Sequence, residues 1–164
     1  MKYVFDTSAV ILLLEICDLE KQLRAFSTKN SLYITKKVKE EFLDGCKINK
    51  NVVNVFSLCN SVLDENILQY FNQDSSSGEF WTISYSCNNN CVCVIDEGFG
   101  RNLCNFLGIQ FTGSVGIIDE MRKQGFLSKE DLFGIRKRIR NSHFYLSKEL
   151  LKKLDSICKS SQIT

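Results

Sequence analysis

The sequence predicts an α/β fold in which helices cover both faces of a central parallel sheet. Three observations predict it. Short apolar runs alternate along the chain with longer segments of helical periodicity, and strands separated by helices pair in parallel through crossover connections. The run Cys91–Ile95 is apolar at every position, the pattern of a strand covered on both faces. Helix start and stop signals fall at the boundaries, with Thr35, Ser77 and Ser128 before helical segments and Gly45, Gly108 and Gly125 after them.

The elements follow in order. Lys2–Phe5 is suited to a strand by Tyr3, Val4 and Phe5. Asp6, Thr7 and Ser8 are all good helix N-caps, so the apolar run from Ala9 reads as a helix, continued to Phe26 by Leu19, Leu23 and Phe26. Asn30 marks a turn and Ser31–Ile34 a second strand. Thr35 caps a helix that contains Val38, Glu41 and Phe42 and ends near Gly45. Asn51–Leu58 fits either strand or helix, and Val62–Phe71 reads as helix. The polar stretch Asp74–Gly78 leads into a helix over Glu79–Cys87, with Ser77 as its cap. After the turn Asn88–Asn90 come the strand Cys91–Ile95 and a helix over Glu97–Leu107. Ile109–Phe111 is a short strand, and Gly113 or Ser114 opens a helix to Gln124. Ser128 starts another with a capping box, Ser-Lys-Glu-Asp, and Ser147 starts the last.

The composition sets bounds. The chain has 164 residues, 44% of them hydrophobic and 24% charged, which fits one globular domain spanning 1–164. Such a chain buries roughly two thirds of the surface that it exposes when unfolded. The formal net charge of +2 is too small to argue for nucleic acid by itself. The apolar run Ala9–Leu14 is preceded by Asp6 and ended by Glu15, unlike a secretory leader. No stretch approaches the roughly 20 apolar residues of a membrane span, and the expected location is the cytoplasm. There are 8 cysteines. Cys87, Cys91 and Cys93 form the only cluster, without the paired half-sites of structural zinc. Cys91 and Cys93 read as strand residues and Cys104 as core.

The chemistry starts from two aspartates. In open α/β sheets, ligands bind beyond the carboxyl ends of the strands. Asp6 follows the first strand and Asp96 follows the most apolar one. Two carboxylates about 4 Å apart repel by about 4 kcal/mol at an effective dielectric of about 20, so such a pair needs a proton or a cation. A hard divalent ion takes oxygen ligands of this kind and can activate water against a phosphate. The other reading is that each aspartate caps the following helix. Taken singly, Glu41 and Glu79 are ordinary solvated helix residues.

A family resemblance carries the reading further. Tyr3-Val4-Phe5-Asp6-Thr7-Ser8 resembles the start of a PIN domain, and Ile34-Thr35 through Val38 to Glu41 resembles its second motif, a helix with a single acid. Ser77-Gly78-Glu79 resembles the Gly-Glu motif of a prokaryotic, VapC-like branch. Val94-Ile95-Asp96-Glu97 with Gly100-Arg101, the turn Thr112-Gly113-Ser114-Val115-Gly116, and the later Gly125-Phe126-Leu127 and Phe144-Tyr145-Leu146-Ser147 resemble further motifs of that branch. The resemblance covers nearly the whole chain. It implies a three-layer α/β sandwich and a metal-dependent endoribonuclease that hydrolyses single-stranded RNA. Asp6, Glu41, Glu79 and Asp96 would be both the catalytic acids and the ligands of Mg²⁺ or Mn²⁺, with Thr7 or Ser8 orienting Asp6. It also implies the partners of a toxin, namely an RNA substrate, an antitoxin protein and a second copy in a homodimer.

Further residues have two readings each. Arg101 is a phosphate contact or charge partner of the acids, or a structural salt bridge. Arg136, Lys137, Arg138 and Arg140 contact an RNA backbone or form a charged helix face. Phe80, Trp81 and Tyr85 stack on bases or belong to the core. Asp119 and Glu120, beside Arg122 and Lys123, read as a solvated face, and His143 is a lone histidine. The rival functions are an inactive PIN-like scaffold or RNA-binding or protein-interaction module, and an unrelated α/β domain. A receiver-type domain lacks its lysine after Asp96, and no phosphate-cradling Gly-x4-Gly-Lys-Ser/Thr occurs.

Overall fold

The computed structural model describes residues 1–144 and 146–160. It contains a five-stranded sheet, ordered β3-β2-β1-β4-β5, in which every pairing is parallel. The strands are β1 (Lys2–Phe5), β2 (Ser31–Thr35), β3 (Ser57–Cys59), β4 (Val92–Val94) and β5 (Phe111–Thr112). The helices are α1 (Thr7–Val10), α2 (Glu20–Phe26), α3 (Lys36–Gly45), α4 (Glu65–Leu68), α5 (Gly78–Asn89), α6 (Gly98–Phe106), α7 (Ser114–Lys123), α8 (Lys129–Asn141) and α9 (Lys148–Ser160). This is the expected α/β sandwich, with helices flanking a central parallel sheet. Tyr145, which belongs to one of the resembling motifs, lies outside the described residues.

Strand alternation sorts the core into two layers. Phe5, Ile34 and Val94 pack on one side with Phe26, Phe42 and the buried face of α7. Cys93 and Ile95 point to the other side, where they meet Phe80, Ile83, Leu103 and Cys104. Adjacent residues of β4 thus serve opposite layers, as a period of two requires. All eight cysteines are free thiols, and Cys91, Cys93 and Cys104 are buried. That agrees with their reading as small core residues, although Cys91 itself lies just before β4.

The register places the site. Phe5 pairs with Ile34 and with Val94, and Val94 pairs with Thr112. The residues after Phe5, Val94 and Thr112 therefore emerge together at the carboxyl edge. Chain order reverses between β1 and β4, since β2 and β3 extend the sheet one way and β4 and β5 the other. That reversal is the crevice where α/β sheets bind ligands.

Several elements differ from expectation in kind or bounds; the strand expected over Ile109–Phe111, for instance, is β5 at Phe111–Thr112. The helix expected from Ala9 to Phe26 is α1 followed by a π-helical stretch, Ile11–Ile16, and a break before α2. Asp18 at the break adopts a left-handed conformation, φ +54°, which a continuous helix excludes. Arg138 donates to the Cys17 carbonyl freed there, at 2.7 Å. The ambiguous segment after Asn49 is a 3-10 turn, Lys50–Val55, and then β3. The helix expected over Val62–Phe71 begins only at Glu65, because the Asp64 side chain accepts from the Asn66 amide and caps it there; it ends in a 3-10 turn, Gln69–Phe71. The capping box of α8 is present, with Ser128 and Asp131 satisfying each other's backbone amides at 2.9 and 3.1 Å. Among the described residues no helix is long and apolar enough to cross a membrane.

Candidate active site

Asp6 is the N-cap of α1, extended at φ −81° and ψ 172°, so it keeps the capping role that its position suggested. Its Oδ1 accepts from the Ala9 amide at 2.8 Å and its Oδ2 from the Ser8 hydroxyl at 2.9 Å. Its own amide donates to the Val94 carbonyl at 3.1 Å, which ties it to β4. The side chain is almost wholly buried. Burial pushes its carboxyl up to about 8; the Ala9 and Ser8 hydrogen bonds oppose this, and the nearby charges of Asp96 and Glu79 add to it.

Asp96 follows β4 by two residues and is held from α7. The Ser114 amide donates to its Oδ1 at 2.9 Å and the Ser114 hydroxyl to its Oδ2 at 2.5 Å. Ser114 is fully buried, and it is a site residue that sequence reasoning missed. The available signal was the small-residue turn after β5, which brings a helix N-terminus against the sheet edge.

Glu79 stands in the first turn of α5. Its carboxyl is pushed up to about 7, first by burial and then by the charge of Glu97, while the Gly100 amide acts the other way. Among the described residues its buried Oε1 has no hydrogen-bond partner, although the Gly100 amide is near enough to favour the charged form. α6 approaches so closely that a side-chain carbon on Gly100 would collide with this oxygen and with Ile95. Glu97 is exposed and was not expected to act on the site.

Glu41 sits one step away. Its Oε1 accepts from the Gly78 amide at 2.7 Å and its Oε2 from the Thr7 hydroxyl. A Cβ on Gly78 would fall within 2.6 to 2.9 Å of Glu41, Thr7 and Val38, so only glycine allows this approach. Of the two hydroxyls expected to orient Asp6, Ser8 does so, and Thr7 serves Glu41 instead.

The fold thus brings Asp6, Glu79 and Asp96 into electrostatic contact and joins Glu41 to them through Thr7 and Gly78. Beside them opens a cleft of about 590 Å³ lined by Ser8, Asp96, Glu97, Arg101 and part of the C-terminal segment, including Phe144 and Leu150. Arg101 is half-buried, makes no salt bridge among the described residues, and rests over the Phe111 ring at 5.7 Å. Three of the four residues of the basic run are engaged within the chain. Arg136 and Arg140 bind Asp155 at 2.6 and 2.8 Å, joining α8 to α9, and Arg138 reaches Cys17 and Asp18. Lys137 makes no ion pair among the described residues. Asp119 pairs with Arg122 and Lys123, as a charged face should. His143 is exposed.

The donor set is all carboxylate, and the orphaned Glu79 oxygen with the raised Asp6 and Glu79 mark a site short of positive charge. Both fit a hard divalent cation. As the side chains stand, no three possible ligands among the described residues converge to hold an ion.

Neither a curated protein nor a solved structure matches the chain significantly. A family model described as the PIN domain matches residues 2–159. With the parallel sheet and the acids at its reversal point, the chain belongs to the PIN-domain family, whose members are generally nucleases.

Proposed function

We propose that the protein is an endoribonuclease that hydrolyses single-stranded RNA phosphodiesters with Mg²⁺ or Mn²⁺ at Asp6, Glu41, Glu79 and Asp96. The observation that supports this best is the gathering of Asp6, Glu79 and Asp96 at the reversal of the sheet, where the charges of Asp96 and Glu79 raise the proton affinity of Asp6. Asp6 and Asp96 are the principal ligands, each keeping lone pairs free after its hydrogen bonds. A bound divalent ion supplies Lewis acidity toward the phosphate and a more acidic water.

The chain's own groups do the positioning. Ser8 and the Ala9 amide fix Asp6, and Ser114 fixes Asp96, so neither carboxylate must be ordered when substrate arrives. Glu41, bound to the Gly78 amide, and Glu79, the next residue along α5, extend the negative edge. Arg101 has no acidic partner among the described residues and faces the cleft, which suits it to a phosphate oxygen of the substrate. Lys137 is the member of the basic run left for an RNA backbone. The role of toxin, with an antitoxin partner and a homodimeric assembly in the cytoplasm, extends this proposal and rests on the resemblance to the VapC-like branch.

The test is cleavage of a mixed single-stranded RNA pool with Mn²⁺, with Mg²⁺ and with EDTA, beside Asp96→Asn. Cleavage that needs metal and disappears in the variant is expected. The lack of three converging ligands favours a second reading, an inactive PIN-like scaffold. Absence of both cleavage and calorimetric Mn²⁺ binding would establish that one instead.

A further inference from the structure

Beyond the acids, a second groove of about 460 Å³ opens at the carboxyl ends of β2 and β3. Its walls include Lys36 and Lys37 from the first turn of α3 and Trp81 from α5, with Asn60 and Ser61 between them. Phe80 and Trp81, adjacent in sequence, have opposite fates. Phe80 is wholly buried in the core, whereas Trp81 is only partly covered and lines the groove.

Trp81 is held rigidly. Its indole N–H donates to the Ser75 carbonyl at 2.7 Å, and its ring meets Phe80 edge-on, 5.0 Å between centroids at 73°. The ring also packs against the apolar cluster around Phe80 and Ile83, so the part of it left uncovered in the groove can stack at little entropic cost. The charge beside it is cationic on balance. Glu40 also lines the groove, but it faces two lysines. It pairs with Lys36 at 3.7 Å, with the two side chains 82% and 49% exposed, and a pair so solvated is weak. Lys37 makes no salt bridge among the described residues and feels Asp74 only at longer range.

The groove shares its walls with the acidic edge. Lys37 lies one helical turn before Glu41 on α3, and positions four apart share a face. Trp81 lies one turn after Gly78 on α5, and the Gly78 amide is bound to Glu41. An aromatic platform beside cationic side chains is how proteins hold single strands without reading sequence. A duplex hides its base faces and does not fit such a platform.

We propose that this groove is a subsite for a nucleotide of single-stranded RNA flanking the scissile phosphate, with its base stacked on Trp81 and its backbone held by Lys36 and Lys37. The inference rests on the ribonuclease reading and adds to it the element that selects single strands. Asn60 supplies an amide to the edge of the stacked base, and the Ser61 hydroxyl, which donates to the Trp81 carbonyl at 3.4 Å, keeps its lone pairs to accept from it.

Trp81 is the only tryptophan, so its fluorescence reports on the groove alone. A non-cleaved mixed-sequence RNA octamer is titrated into the protein in EDTA, and again with Mg²⁺ in the Asp6→Asn background, with fluorescence anisotropy of a labelled octamer read in parallel. The expected result is saturable quenching of Trp81 at the same concentration as the rise in anisotropy, with an RNA duplex giving neither. Trp81→Ala is expected to weaken binding about 5- to 150-fold, while Trp81→Phe, which keeps a stacking face and the fold, stays within about 3-fold. Lys36→Ala with Lys37→Ala should flatten the dependence of log affinity on log salt by about 0.7 for each phosphate that the variant no longer neutralises. RNA binding with unchanged Trp81 emission and an unchanged salt slope in the lysine variant overturns the subsite and leaves the ribonuclease reading standing. Absence of RNA binding under both conditions overturns both.

Discussion

The substitution Asp6→Asn separates the cost of the site from its use. Asp6 ionises near 3.8 in an unfolded chain and at about 8 in the metal-free fold, chiefly because it is buried. The folded state therefore holds a proton across this window that the unfolded state has released. The contribution of Asp6 to stability falls as pH rises from about 4 to about 8, with a limiting slope of about 1.4 kcal/mol per pH unit. Between pH 5 and pH 8 the loss attributable to Asp6 is on the order of 3 kcal/mol. Asparagine keeps the cap, since its oxygen still accepts from the Ala9 amide and asparagine is a favoured N-cap, but it carries no charge at any pH. Urea unfolding in EDTA, run at pH 5, 6.5 and 8 on both proteins, measures the difference directly. The variant is expected to gain on the wild type as pH rises and to overtake it by pH 8, while losing metal-dependent cleavage. Groups such as Asp119, Asp131 and Asp155, whose partners hold them low, act in the opposite direction in both proteins and cancel in the comparison. Parallel pH profiles for the two proteins would refute the account of Asp6 as a buried, charge-starved carboxyl.

Other substitutions probe the supports. Ser114→Ala removes the hydroxyl that Asp96 holds at 2.5 Å; a charge-assisted bond of this kind is worth about 1.5–3 kcal/mol, and both urea stability and cleavage rate should drop. Gly78→Ala places a carbon within 2.9 Å of Val38 and closer to Glu41 and Thr7, so a loss of about 1–3 kcal/mol is expected, and unchanged thermal unfolding would show that the seam gives way freely. Arg101→Ala should leave the unfolding midpoint nearly untouched and raise KM for RNA; a fall in stability with normal KM would assign the arginine to the fold. Arg140→Ala cuts one half-exposed ion pair with Asp155, and the expected cost is under about 1 kcal/mol by urea unfolding.

Local signals sufficed for much of the fold and half of the candidate site. The alternation of apolar runs and capped helices led to a parallel α/β sheet, because parallel strands require crossovers and buried strands require continuous apolar residues. Asp6 and Asp96 were visible because each closes a strand. Glu41 and Glu79 came only from a motif resemblance, since a single glutamate in a helix carries no periodic signature. The break at Asp18 and the late start of α4 were hidden because apolar spacing continues across both while backbone geometry changes.

What the sequence by itself determined was the class of fold and the sheet edge at which Asp6 and Asp96 lie. The tertiary structure decided how those acids differ. Register aligned Phe5, Val94 and Thr112 and so brought Ser114 onto Asp96, a contact across 18 residues of chain. Close helix packing at Gly78 and Gly100 gave Thr7 to Glu41 and, among the described residues, left a Glu79 oxygen without a partner. It also placed Phe80 in the core and its neighbour Trp81 on an open groove. The physical reason is common to all of these. Burial, hydrogen-bond partners and the charge felt by a carboxylate depend on what other segments bring near it, and local pattern does not encode that distance.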